Sequence, residues 1–138
     1  MRIVIDANVL IAALFSEGKT LELLFNERLE PVAPALLFDE VQRNLDRVSE
    51  KTGLSKDDCN KAFLALRGRI KEVSPAEFSH ALKEANNSLA GHIKDTEYVA
   101  LAIALHIPLW SKEKLLKRLP GIEVLDAAEV EARLFRNP

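Results

Sequence analysis

One cysteine, three scattered histidines, no long apolar run and no excess of basic charge distinguish this 138-residue sequence, and each shortage closes a functional class. Cys59 has no second thiol to pair with, so a disulfide within the chain is impossible, and its neighbours Ala62 and Phe63 predict a packed, inert side chain rather than a nucleophile. His80, His92 and His106 lie far apart with neither an HxxxH spacing nor a cysteine companion, which argues against zinc and leaves them as surface or packing residues. The longest apolar stretch, Tyr98 to Trp110, is shorter than the ~20 residues a spanning helix needs and contains His106 and Pro108. The opening MRIVIDANVL lacks the apolar core and cleavage site of a secretory leader, so the expected setting is the cytoplasm, away from any membrane. A formal net charge of -2 differs from the strongly basic balance that duplex DNA binding through many phosphates requires. Nucleic-acid contact, if made, must be local: Arg43, Arg47 and Lys51 on one expected helix, or Arg67, Arg69 and Lys71 further on, though each group is also what a solvated helical face looks like.

What is present is an alternation. With 48% apolar and 29% charged residues and no internal repeat or low-complexity segment, residues 1–138 are expected to form one domain. Arg2 to Ile5 reads as a strand and Asn8 to Phe15 as a helix, followed by a Ser16-Glu17-Gly18 turn. Thr20 to Glu27 predicts a second helix, Pro31 to Ala33 a strand, and Ala35 to Ser49 a third helix ended at Gly53. Ser55 is placed to cap a helix running to Arg67, and Ile70 to Val73 reads as a strand. Ser74-Pro75 introduces an expected helix over Ala76 to Asn86, with a polar loop from Asn87 to Lys94. Asp95 opens an almost wholly apolar helix to His106, expected to be buried between layers. Strands at Pro108 to Trp110 and Glu123 to Leu125 flank a short helix opened by Ser111, and Asp126 begins a terminal helix to Phe135. Five short strands alternating with helices predict an α/β three-layer sandwich around a parallel sheet. Ligands in such folds bind beyond the carboxyl ends of the strands, where strand order reverses.

Acidic residues fall at those ends. Asp6 follows the first strand, Asp95 begins the buried helix, and Ser111 and Glu113 follow the fourth strand. On the third helix, Leu37, Val41, Leu45 and Val48 form an apolar stripe; at 100° per residue Glu40 flanks it, with Asn44 and Arg47, while Asp39 points away. Each acid taken alone has a structural explanation as a cap, a strand end or a solvated side chain. Their joint placement at one end of one sheet is harder to explain that way. Converging carboxylates repel and lose hydration, so they call for a cation, and an all-oxygen set suits Mg²⁺ or Mn²⁺.

In these segments the sequence resembles the PIN domain family of small ribonucleases, which includes toxins of toxin-antitoxin pairs. The resemblance rests on the opening IVIDANVLIAALF, on LLFDEVQRNL, and on DTEYVALAIALHIPLWSKEKL, in that order. It implies that Asp6 and Asp95 bind a metal ion and that Glu40 completes the site or orients water. Asn8 and Ser111 would hold water or a substrate phosphate, and Arg43 and Arg47 remain candidates for the RNA backbone. Where the family commonly has an aspartate two residues after the Ser/Thr, this chain has Glu113, so either Glu113 or Glu97 is expected to supply the fourth acid. The implied activity is hydrolysis of RNA phosphodiesters by metal-activated water. The implied partners are RNA, an antitoxin protein and a second copy of the chain, for which Leu21, Leu24 and Phe25 offer an apolar helix surface. Two alternatives compete: a PIN-like module that binds RNA or protein without cleaving, and an aspartyl-phosphate phosphohydrolase of the haloacid dehalogenase type. The latter normally needs an aspartate at the position of Asn8.

Overall fold

Arg2–Ile5 forms β1, and Ile3, Val4 and Ile5 are all fully buried. A strand covered on both faces belongs inside a parallel sheet. The computed structural model describes residues 1–15, 18–89 and 93–136, and it places β1 at the centre. With β2 (Glu30–Pro34), β3 (Lys71–Val73), β4 (Leu109–Trp110) and β5 (Val124–Leu125), the order is β3-β2-β1-β4-β5, every pairing parallel. Val4 stands beside Val32 on one side and Leu109 on the other. The α/β class and the five parallel strands are as the alternation predicts. Strand order reverses between β1 and β4, so a crevice opens beyond their carboxyl ends.

Eight α-helices flank the sheet among the described residues: α1 (Ala7–Phe15), α2 (Lys19–Leu24), α3 (Ala35–Arg43), α4 (Leu45–Thr52), α5 (Lys56–Arg67), α6 (Leu82–Leu89), α7 (Thr96–Leu105) and α8 (Ala127–Arg136). α7 lies on β1 and β2 with α6 against it, and Tyr98 to Ala102 are consecutively buried, as an apolar run without a polar face requires. α1 meets α2, α3, α4 and α5. Local signals set several ends. The Ser55 hydroxyl accepts the Asp58 N–H at 3.0 Å, and Gly53 ends α4 at φ 77°. Asp126 and Glu129 cap α8 reciprocally, each carboxylate accepting the other's backbone N–H at 2.9 and 3.2 Å. No helix among the described residues is long and apolar enough to cross a membrane.

Four expected elements are corrected. The helix expected over Ala35 to Ser49 is two helices broken at Asn44, whose backbone N–H turns to the Val41 carbonyl (2.9 Å) while its side-chain Nδ2 takes the Glu40 carbonyl (2.8 Å). α2 stops at Leu24 rather than Glu27 because the Asn26 side chain accepts the Arg28 N–H at 2.8 Å and turns the chain. Ser74 and Pro75 do begin a helical turn, but Phe78 leaves helical geometry (φ -131°), so two 3-10 turns precede α6 at Leu82. Phe78 is buried, and burying a phenyl ring is worth ~2 kcal/mol against a few tenths per residue of helix propensity. After β4 the chain forms a 3-10 helix over Lys114–Arg118 rather than a helix opened by Ser111; the Ser111 oxygen accepts the Glu113 N–H at 3.1 Å in the turn before it.

Side-chain placements refine other expectations. Leu24 is a fully buried core residue, so of the expected association surface only Leu21 and Phe25 remain accessible, Phe25 45% exposed. Arg69 is not a free cation: its guanidinium binds the carbonyls of Leu24, Asn26 and Leu29 at 2.9–3.0 Å, clamping the turn before β2. Arg67 lies over the Phe38 ring at 4.6 Å. Cys59 is buried, and His80 and His106 are exposed. Ser16, Glu17, His92 and the middle of the expected 87–94 loop lie outside the described residues.

Candidate active site

Asp6 leaves β1 where the strand order reverses, and its side chain is almost wholly buried, at 3% exposure. One carboxylate oxygen accepts the Val9 N–H at 3.1 Å, the bond of a helix cap on α1, so the structural reading of Asp6 holds. The other oxygen does what a cap need not do. It accepts the Ser111 hydroxyl at 2.5 Å, joining the ends of β1 and β4, while the Ser111 oxygen in turn accepts the Glu113 N–H at 3.1 Å. Ser111 is itself buried.

These bonds favour the charged form, yet the Asp6 carboxyl is pushed up to about 6. Burial is the largest cause, outweighing the Ser111 and Val9 bonds, and the charges of Asp95 and Glu113 add to it. The Glu40 carboxyl is also raised, by burial first, with Tyr98 and Arg43 acting against it and Asp95 and Asp6 with it. Asp6, Glu40, Asp95 and Glu113 therefore form one electrostatic cluster in the crevice. Asp95, at the start of α7, is buried, and Glu40 is half-buried on α3 with Asp39 exposed beside it. Glu113 is half-buried behind Ser111 and acts on Asp6; Glu97, also half-buried, acts on Tyr98 instead. Asn8 is exposed at the first turn of α1, and Arg43 and Arg47 are exposed along the α3–α4 edge, Arg47 with its guanidinium 6.0 Å from the Phe15 ring centre.

The donor chemistry suits a hard cation, since every acid in the cluster offers only oxygen. Among the described residues no three acidic, histidine or cysteine side chains stand close enough to enclose an ion by themselves.

The family model described as PIN domain matches residues 4–134. The chain belongs to the PIN domain family. Similar curated proteins include a VapC ribonuclease of Mycobacterium bovis and ribonuclease VapC9 of Mycobacterium tuberculosis, each 30% identical over 108 residues, or 78% of this chain and 82% of the relative. Among solved structures, the fold resembles PAE2754 from Pyrobaculum aerophilum (TM-score 0.73, 15% identity, 99% of this chain and 97% of that one). It also resembles a chain of VapBC2 from Rickettsia felis, bound in that crystal to a DNA fragment from its promoter (TM-score 0.69, 19% identity, 91% and 98% coverage). Family membership leaves the aspartyl-phosphate phosphohydrolase alternative without support.

One residue of this PIN domain's crevice escaped sequence reasoning. Tyr98 reads as core in an apolar helix, and it is 2% exposed, but its hydroxyl influences the Glu40 carboxyl. The signal was its spacing: three residues after Asp95 on a helix, it shares that residue's side.

Proposed function

We propose that this PIN domain is an endoribonuclease that hydrolyses RNA phosphodiester bonds with Mg²⁺ or Mn²⁺ and serves as the toxin of a toxin-antitoxin pair. The observation that carries this reading is the acidic cluster at the β1–β4 crevice, with Asp6 raised to about 6 by burial and by its acidic neighbours. Such a group costs stability when ionised, and a bound cation would offset that cost. The 30% identity to VapC ribonucleases supports RNA as the substrate, and the VapBC2 likeness supports an antitoxin partner.

In this reading Asp6 and Asp95 would hold the ion, with Glu113 as a further acid beside them. The bound ion would supply Lewis acidity and a water of lowered pKa. Ser111 fixes the Asp6 carboxylate by donating to it, so the ligand is oriented before substrate arrives. Glu40, whose carboxyl burial raises, is placed to orient the attacking water or to take a proton from it. Asn8 and Arg43, both exposed at the rim, bind the phosphate being cleaved and its neighbour, with Arg47 further along the strand of RNA. Leu21 and Phe25 provide the surface for self-association.

Purified protein should cleave mixed single-stranded and structured RNA with Mn²⁺ or Mg²⁺ and not with EDTA. Asp6→Asn and Asp95→Asn should each lower the rate by orders of magnitude while leaving the fold intact. Wild-type cleavage by either variant, or cleavage in EDTA, would sink the assignment.

A further inference from the structure

The Tyr98 hydroxyl is buried, and among the described residues it makes no hydrogen bond of acceptable distance and angle. Leaving a buried hydroxyl without a partner is destabilising, because its hydration is lost and nothing replaces it. A phenylalanine would fill the same space at no such cost, so the oxygen needs a reason. Three acids lie close enough to act on it: Glu40 most strongly, then Asp6 and Glu97. Asp6 already accepts from Val9 and Ser111, one bond on each oxygen. Glu97 precedes Tyr98 directly on α7 and so projects about 100° away around the helix. Glu40, half-buried on α3, acts on Tyr98 more strongly than the other two acids, and its carboxylate accepts no other hydrogen bond among the described residues.

Resting on the nuclease reading of the site, we propose that Tyr98 donates a hydrogen bond from its hydroxyl to the Glu40 carboxylate and so acts as a positioning residue, aiming that carboxylate into the crevice. A charge-assisted bond of this kind locks the rotamer of a side chain that otherwise keeps several at the crevice edge. Tyr98 itself touches neither substrate nor ion.

Tyr98 is the only tyrosine in the sequence, so the tyrosine Fermi doublet in a Raman spectrum of the whole protein reports on it alone. The metal-free wild type should show the intensity ratio of a strong donor, and Glu40→Ala should abolish it. A ratio typical of a non-donor, or one unchanged in Glu40→Ala, overturns the contact, and that result needs neither metal nor RNA. Function is then read by a double-mutant cycle. Tyr98→Phe should lower kcat roughly tenfold, the scale of one hydrogen bond to a charged group, with KM for RNA within about twofold. It should cause no further loss in a Glu40→Gln background. Equal losses in both backgrounds, or none in either, overturn the positioning role. So does a donor signature in a wild type that cleaves no RNA, an outcome that sinks the nuclease reading too; a Tyr98→Phe protein as fast as an active wild type sinks this inference alone.

Discussion

Replacing Asp6 by Asn should make the metal-free protein more stable at pH 7, although a buried and doubly hydrogen-bonded side chain is being changed. The ordinary Asp value of 3.8 in the unfolded chain rises to about 6 on folding. Folding therefore favours the protonated form, and the stabilisation that Asp6 lends is complete below pH ~4 and lost as pH climbs through 6. A gap of about 2 units at ~1.4 kcal/mol each puts the ceiling of the penalty at about 3 kcal/mol above pH 7. Asn carries no charge to bury and keeps the shape. Its carbonyl oxygen can still accept the Val9 N–H and its amide can donate to the Ser111 oxygen, but the buried Ser111 O–H then loses its acceptor, which takes back part of the gain. For a domain of this length the gain corresponds to up to about 10 °C in Tm. Thermal melts of wild type and Asp6→Asn in EDTA, from pH 4 to pH 8, should show the variant's advantage growing through pH 5–6 and flattening above it. In millimolar Mn²⁺ the wild type should recover by RT ln(1 + [L]/Kd), about 2.7 kcal/mol at a hundredfold excess over Kd, and the variant by much less. A variant destabilised by ~1 kcal/mol at every pH, with a full metal response, would make Asp6 an ordinary helix cap and refute the electrostatic argument.

Two further expectations follow from single residues. Glu113→Gln removes a charge that acts on Asp6 from half-buried ground, so it should slow RNA cleavage, but less than Asp6→Asn does; an equal loss in the same assay would make Glu113 a full ligand. His106 ends α7 in left-handed geometry at φ 55°, which costs a side-chain-bearing residue ~1 kcal/mol, so His106→Gly should melt up to a few degrees higher and His106→Val lower. The reverse order of those melting temperatures would show that backbone strain is not what limits that helix end.

The sequence made the sheet legible because its strands are short apolar runs between helical segments, with Asp6 and Ser111 directly after β1 and β4 and Asp95 at the start of α7. The break at Asn44 was hidden because Leu37, Val41, Leu45 and Val48 continue one helical stripe across it. Periodicity records which side is buried and not whether the backbone bonds are continuous; the break is a side chain capturing a carbonyl, a local competition without a pattern. Phe78 misled in the opposite way, since the cap before it was real and only the tertiary demand to bury its ring ended the turn. Repulsion among the acids was foreseeable from their positions, but not that burial would outweigh it as the main cause of the Asp6 shift. That same blindness hid Tyr98, whose ring reads as core while its oxygen belongs to the crevice.

The bond between Asp6 and Ser111 spans 105 residues of sequence. At the 5–20 residues per second of ribosomal synthesis, Asp6 waits roughly 5–20 s for that hydroxyl to be made. Until β4 emerges and pairs, one edge of β1 has no neighbour, and the crevice it will form with β4 has only one wall. A growing chain thus carries its acids separately, with an open strand edge that invites chaperones or stray strands. Whatever this site does in the finished protein, it is assembled by the longest-range closure of the sheet.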